Sequence, residues 1–293
     1  MNTLKIILTT LVLSIITACG GGGGSATAQG SISGTATKGP VSSATVTAYA
    51  ISNGQIGAQI ATAMTDANGN FTMTTGSYAG PVMLQMSGGT YKDEATGTTN
   101  MTMAPGDVMT AVMPTIAVGT AISGIQVTPV TAMAQTMAQH MAGGMTDTNI
   151  AAANTAMGSY FTVSDILHTQ PMNPLITNSG SGASIDAQNY GMVLAAMSQY
   201  AQTLGMTVSS AFVTAMMSDA SDGVMDGKMG ANQISMSMDV MMGTSMMAST
   251  AGTSGLATAM TSFITNLTAN QSGLTTMDMA TLIQMLSNTS GQI

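Results

Sequence analysis

The sequence is short of positive charge: four lysines, Lys5, Lys38, Lys92 and Lys228, and no arginine stand against twelve acidic residues, giving a formal net charge of −8. Affinity for a phosphate backbone comes from Lys and Arg displacing counterions, so nucleic acid is excluded as a partner. The chain has a single cysteine, Cys19, which excludes an internal disulfide framework or a cysteine metal cluster. Tryptophan is absent and aromatic residues make up 3%, which removes the stacking surface that glycan binding usually needs. Charged residues reach only 5%, against about 25% in ordinary soluble domains. Disorder does not follow, because disordered chains are poor in apolar residues, whereas here 45% are hydrophobic and recur with strand and helix periods.

What is present begins with a targeting pattern. Asn2 to Lys5 form a short positive region, and Ile6 to Ile16 an apolar run that ends in small residues before Cys19. A membrane span needs about 20 apolar residues, and Thr9, Thr10 and Ser14 interrupt this one, so it reads as a signal peptide. Ile16-Thr17-Ala18-Cys19 resembles a bacterial lipobox, with isoleucine where leucine is more usual. The resemblance implies that residues 1–18 are removed and that Cys19 becomes a lipidated first residue, leaving no free thiol. Gly20 stands where an aspartate would signal inner-membrane retention, so the expectation is a lipid anchor in the outer membrane. Residues 19–29, Gly/Ser/Ala/Thr-rich, form a tether; ten such residues reach roughly 17 Å.

From 30 to 114 the apolar residues alternate. Ala44, Val46, Ala48 and Ala50 face one way and Thr45, Thr47, Tyr49 and Ile51 the other; Ile60 to Met64 and Val82 to Met86 repeat the pattern. Period two predicts strands, and Asn68-Gly69 predicts a tight hairpin turn. Short strands at this spacing favour an antiparallel β-sandwich, Ig-like or transthyretin-like. Gly34-Thr35-Ala36, Gly39-Pro40-Val41, Ala44 to Ala48 and Thr65 to Thr72 resemble the carboxypeptidase-regulatory-like (transthyretin-like) module of bacterial surface proteins. Tyr91-Lys92-Asp93-Glu94-Ala95-Thr96-Gly97 is similar to a stretch seen in lipoproteins that carry it. The resemblance implies a structural or presenting module rather than a peptidase.

Residues 115–127 read as a bridging segment, strand-like from Ile122 to Val127. Thr128 then caps a helix with Pro129 in its first position, and Val130, Met133, Met137 and Met141 keep helical spacing up to Gly143-Gly144. Further helices are expected at 148–157, 186–204, 209–219, 256–267 and 275–286, the last with a possible Thr275/Asp278 capping box. The expected class is α+β in two domains, with an α-helical bundle-like domain over 128–293.

Candidate chemistry is sparse. His140 and His168 are the only histidines, and no serine lies in a Gly-x-Ser-x-Gly elbow; no catalytic residue is assigned and the chain is not read as an enzyme. Asp219, Asp222 and Asp226 crowd one glycine-containing turn that a hard cation would accept, although the spacing is not that of an EF-hand and an acidic helix-ending loop explains it. Methionine numbers 32. Met236, Met238, Met241, Met242, Met246 and Met247 form a cluster, and Met133, Met137 and His140 share a helical face. Thioethers suit Cu(I), but they also fill cores in place of leucine, and core filling is the favoured reading. No metal or cofactor is therefore assigned. The function expected is a lipid-anchored envelope lipoprotein acting as a structural or protein-interaction module, with a membrane partner through Cys19 and a protein partner in the envelope. A Cu(I)-binding protein is the alternative, and an envelope hydrolase stands behind it.

Overall fold

Alternating apolar residues fold into two sheets that share one core. The computed structural model describes residues 28–237 and 243–293; the expected signal peptide, Cys19, most of the tether, and Met238, Met241 and Met242 lie outside the described residues. The strands are β1 (Gly30–Ala36), β2 (Thr45–Ser52), β3 (Gln55–Met64), β4 (Asn70–Gly76), β5 (Gly80–Ser87), β6 (Thr90–Tyr91), β7 (Met101–Thr102), β8 (Val108–Ile116) and β9 (Ala121–Val127). They assemble as a three-stranded sheet, β4-β1-β9, a four-stranded sheet, β3-β2-β5-β8, and a small β6-β7 pair. Ile32, Phe71 and Ile125 of the first sheet meet Val46, Leu84 and Ala111 of the second in one apolar cluster. This layering is compatible with a β-sandwich, and it forms no closed barrel.

Two expectations need correction here. The strand-like part of the bridging segment is β9, which pairs with β1 in parallel, so the strand-rich region extends to 127 and is not wholly antiparallel. Nor is Asn68-Gly69 a hairpin turn, because β3 pairs with β2 while β4 pairs with β1. It is a corner between sheets in which Gly69 alone takes positive φ, at 80°. The Asp66 carboxylate holds that corner, accepting from the Asn68 and Asn70 N–H groups at 2.8 Å each. The tight hairpin lies instead at Asn53-Gly54, where both residues have positive φ (51° and 73°) and Ser52 pairs with Gln55. Those are the dihedrals that such a turn demands.

The remaining sequence gives six helices among the described residues: α1 (Pro129–His140), α2 (Asp147–Tyr160), α3 (Ile185–Thr203), α4 (Ser210–Asp219), α5 (Ser254–Thr265) and α6 (Ala280–Asn288). Thr128 caps α1 as its sequence predicts, with a reciprocal bond to Thr131 and Pro129 in the first turn. The Thr275/Asp278 contacts form too, at 2.7–2.8 Å, but they close a turn and α6 starts only at Ala280. The helical region also carries two short antiparallel pairs, β10 (Lys228–Met229) with β11 (Asn232–Gln233) and β12 (Ser235–Ser237) with β13 (Thr244–Met246), so it is not helical throughout.

Strands β2, β5 and β8 also bury apolar residues on their second face, where helices cover it. Ile51, Met83 and Val112 pack against Ala138 of α1 and Ile150 and Ala153 of α2, while the Asn154 side-chain amide donates to the Val112 carbonyl at 3.0 Å. In return, Leu167 and Val213 enter the core between the sheets. A separate cluster, containing Tyr190, Phe212 and Phe263, joins α3, α4, α5 and α6 to α1 and α2.

Candidate functional site

A chain this poor in charge buries three charged side chains together. Lys38 sits in the turn after β1, and Asp93 and Glu94 lie in the loop after β6; their exposures are 0%, 4% and 2%. Gly39 has φ of +56°, and a Cβ there would strike the Lys92 carbonyl oxygen, so the Lys-Gly-Pro turn and the Lys92-Asp93-Glu94 strip touch backbone to backbone. That approach lets the Gly39 N–H donate to Glu94 Oε1 at 2.6 Å. The other carboxylate oxygen, Oε2, accepts from Lys38 Nζ at 3.0 Å and from the Ser198 hydroxyl of α3 at 2.6 Å. Lys38 also donates to Ser198 Oγ and lies 5.1 Å from the centroid of the Tyr91 ring.

Asp93 divides its oxygens between local and distant partners. Oδ1 accepts from the Ala95 and Thr96 N–H groups at 3.1 and 3.0 Å, closing the Asp93 to Gly97 turn. Oδ2 accepts from Ser209 Oγ at 2.6 Å, beside the start of α4, and stands 4.0 Å from Lys38 Nζ. The cluster thus ties β1, the loop after β6, α3 and α4 together, with every charged oxygen occupied.

The electrostatics follow from this geometry. Burial pulls the Lys38 ammonium toward neutrality, but Glu94, Tyr91 and Asp93 outweigh it and hold its pKa above the usual lysine value. Burial likewise raises the Asp93 carboxyl, yet Lys38 and the Ser209 hydroxyl overcome that and keep it below the usual range. A Ser/Lys pair needs a neutral amine to draw a proton from serine. Here the amine is held charged and donates to Ser198 Oγ, so the pair does not form an activated nucleophile. Two cavities flank the cluster. One of about 300 Å³ is lined by Glu94 with Thr37, Asn70 and Asn173; another of about 390 Å³ is lined by Asp93, Ser198, Ser209 and Gln202.

The residues singled out by sequence lie elsewhere. His168 is half-exposed and pairs with Asp165 at 2.8 Å within its own turn. His140 is exposed at the end of α1, with Nδ1 2.8 Å from the Thr136 carbonyl oxygen. In the acidic loop, Asp219 is fully buried and its Oδ1 accepts from the Asp226, Gly227 and Lys228 N–H groups at 3.0, 2.7 and 3.2 Å. Its Oδ2 is buried with no hydrogen-bond partner among the described residues. Burial pushes the Asp219 pKa up to about 6, further than the three N–H donors pull it down. Asp222 accepts from the Val224 and Gly230 N–H groups, and Asp226 from that of Lys228. These carboxylates organise a loop; among the described residues no group of three or more His, Cys, Asp or Glu is placed to hold a metal ion. Of the methionine cluster, Met236 and Met247 are core residues, whereas Met246 is 57% exposed; pairing of Met236 with Ser245 and of Ser235 with Met246 sets them on opposite faces.

In the sequence, Gly39-Pro40-Val41 and Tyr91 to Gly97 stand out only as separate motifs, and nothing in either shows that Lys38 pairs with Asp93 and Glu94. The available signal was scarcity: in a chain with 5% charge, Lys92-Asp93-Glu94 is an unusual concentration of charged residues. Among the described residues no helix is long and apolar enough to cross a membrane. A scan against protein-family models finds no match for the chain, and no curated protein matches it.

Proposed function

We infer that the protein is a lipid-anchored component of the bacterial cell envelope, held in the outer membrane through Cys19, that presents a rigid body to a protein partner. The observation that carries this reading is the buried cluster in which Lys38 joins Glu94 and Asp93 to Ser198 and Ser209. It commits scarce charged side chains to fastening strands against helices, and it leaves Ser198 without a neutral base. The layered sheets over 30–127 accord with the resemblance to carboxypeptidase-regulatory-like modules, and we read that region as a transthyretin-like presenting unit with the helical region as its second part. The Ile16-Thr17-Ala18-Cys19 sequence supports the anchor.

Mass spectrometry of the amino-terminal peptide from membranes of a bacterial host tests this reading. The expected product begins at Cys19 with several acyl chains attached, as stable anchoring needs more than one, and a Cys19→Ser form, which loses the acylation site, should leave the membrane fraction. A mature terminus elsewhere, or an unmodified Cys19, overturns the anchor.

A further inference from the structure

The methionines of the helical region divide into two populations. Met133 of α1 is fully buried in the core, but one turn further along the helix the side chains open onto a cavity of about 430 Å³. Met137, His140 and Met141 line it from α1, and Met229 lines it from β10, with Asp222 and Gly223 of the acidic loop closing it. The spacing 137, 140, 141 is i, i+3, i+4, which sets three side chains on one face of a helix end. Met229 is 45% exposed, so its thioether is open to the cavity and to solvent.

The imidazole is arranged as ligand imidazoles are. His140 Nδ1 lies 2.8 Å from the Thr136 carbonyl oxygen; a carbonyl can only accept, so Nδ1 carries a proton, and in the neutral ring that tautomer puts the lone pair on Nε2. Orientation of one ring nitrogen by a backbone carbonyl is the usual support for a metal-binding histidine. Nε2 makes no hydrogen bond among the described residues. Hard cations find little here, since the Asp222 oxygens already accept from the Gly230 N–H at 2.6 Å and the Val224 N–H at 3.1 Å. That carboxylate nevertheless places a negative charge beside the cavity. Thioether sulfur and imidazole together suit a soft, singly charged cation.

We propose that this cavity is a binding site for one soft monovalent metal ion, Cu(I) or Ag(I), ligated by the sulfurs of Met137, Met141 and Met229 and by His140 Nε2. The site is distinct from the 236–247 cluster and does not depend on the anchoring role.

The test uses the full chain carrying Cys19→Ser, so that no thiol competes. Cu(I) is titrated without oxygen against a chromogenic chelator, and Ag(I) is added to protein with 13C-labelled methionine methyl groups. The expected result is one tightly held ion per chain, with methyl shifts confined to Met137, Met141 and Met229. Because His140 and Met229 are exposed, His140→Gln with Met229→Leu should keep the helical circular dichroism yet weaken binding by roughly tenfold or more. Met246→Leu, at an exposed methionine of another hairpin, should change nothing. Absence of stoichiometric binding overturns the proposal; so does binding indifferent to the double variant, lost in Met246→Leu, or accompanied by shifts at other methionines.

Discussion

Asp93 and Asp219 are the same side chain, both buried, and their surroundings drive them in opposite directions. Asp93 has a cation 4.0 Å away and a hydroxyl at 2.6 Å, and its pKa is depressed. Asp219 has three backbone N–H donors on one oxygen, none on the other and no cation, and its pKa rises to about 6. Backbone dipoles alone do not offset desolvation here, whereas a buried lysine does. The first carboxylate is therefore a fastener between two regions, and the second is an organiser of its own loop that works best uncharged.

Removing the cation should collapse the distinction. Lys38→Met leaves Asp93 and Glu94 buried without a counter-charge, and losing one partner of a buried pair costs about 3–5 kcal/mol. Urea unfolding should show this as a large fall in midpoint. Lys38→Met combined with Glu94→Leu and Asp93→Asn should recover much of it, because the whole network can be replaced by apolar or neutral groups at little cost. A Lys38→Met protein as stable as the wild type would mean that the cluster fastens nothing.

The second prediction uses pH to separate the two aspartates. An unfolded aspartate titrates near 3.8 and the folded Asp219 near 6, so the stability tied to its protonated form is full below the unfolded value and is lost as pH rises through 6. Asp93 behaves in reverse: its depressed pKa gives stability that is present above 3.8 and lost as the pH falls through its folded value. Asp219→Asn should therefore flatten the stability profile between about pH 4 and pH 7, an effect on the order of 1–3 kcal/mol, and leave the acid limb unchanged. Thermal melts across that window decide it, and an unaltered slope in the variant would refute the assignment.

The smallest effect belongs to sites without charge. Met236 and Met247 are buried in the core, so Met236→Leu and Met247→Leu should each cost less than about 1.5 kcal/mol with no change in pH dependence. A larger loss at either position, measured by the same melts, would show that methionine sulfur is specifically needed there.

Local signals survived best between sequence and structure. Thr128-Pro129 began a helix where it was expected, because capping is settled within four residues. The helix expected over 186–204 forms as α3, and its Tyr190, Val193, Leu194 and Met197 are all buried. The Asn-Gly signal was read at the wrong site: Asn68-Gly69 turned out to be an inter-sheet corner and Asn53-Gly54 the true hairpin, since a turn dipeptide does not state whether its flanking strands will pair. β9 passed for a connector because its only sheet partner, β1, lies some 90 residues earlier, at pairings such as Ser31 with Ala121.

By itself, then, the sequence determined the periods of strand and helix, the caps, the acidic balance with its expectation of no nucleic-acid partner, and the expectation of a lipidated Cys19. Each of these is written within a few neighbouring residues or in the composition. Only the tertiary structure decided that Lys38, Glu94 and Ser198 form one cluster, that Asp219 lacks a cation, and that Met229 faces α1 across a cavity. The physical reason is that electrostatic pairing and desolvation depend on distance in space. Glu94 is 56 residues from Lys38 along the chain and 3.0 Å from it in the fold.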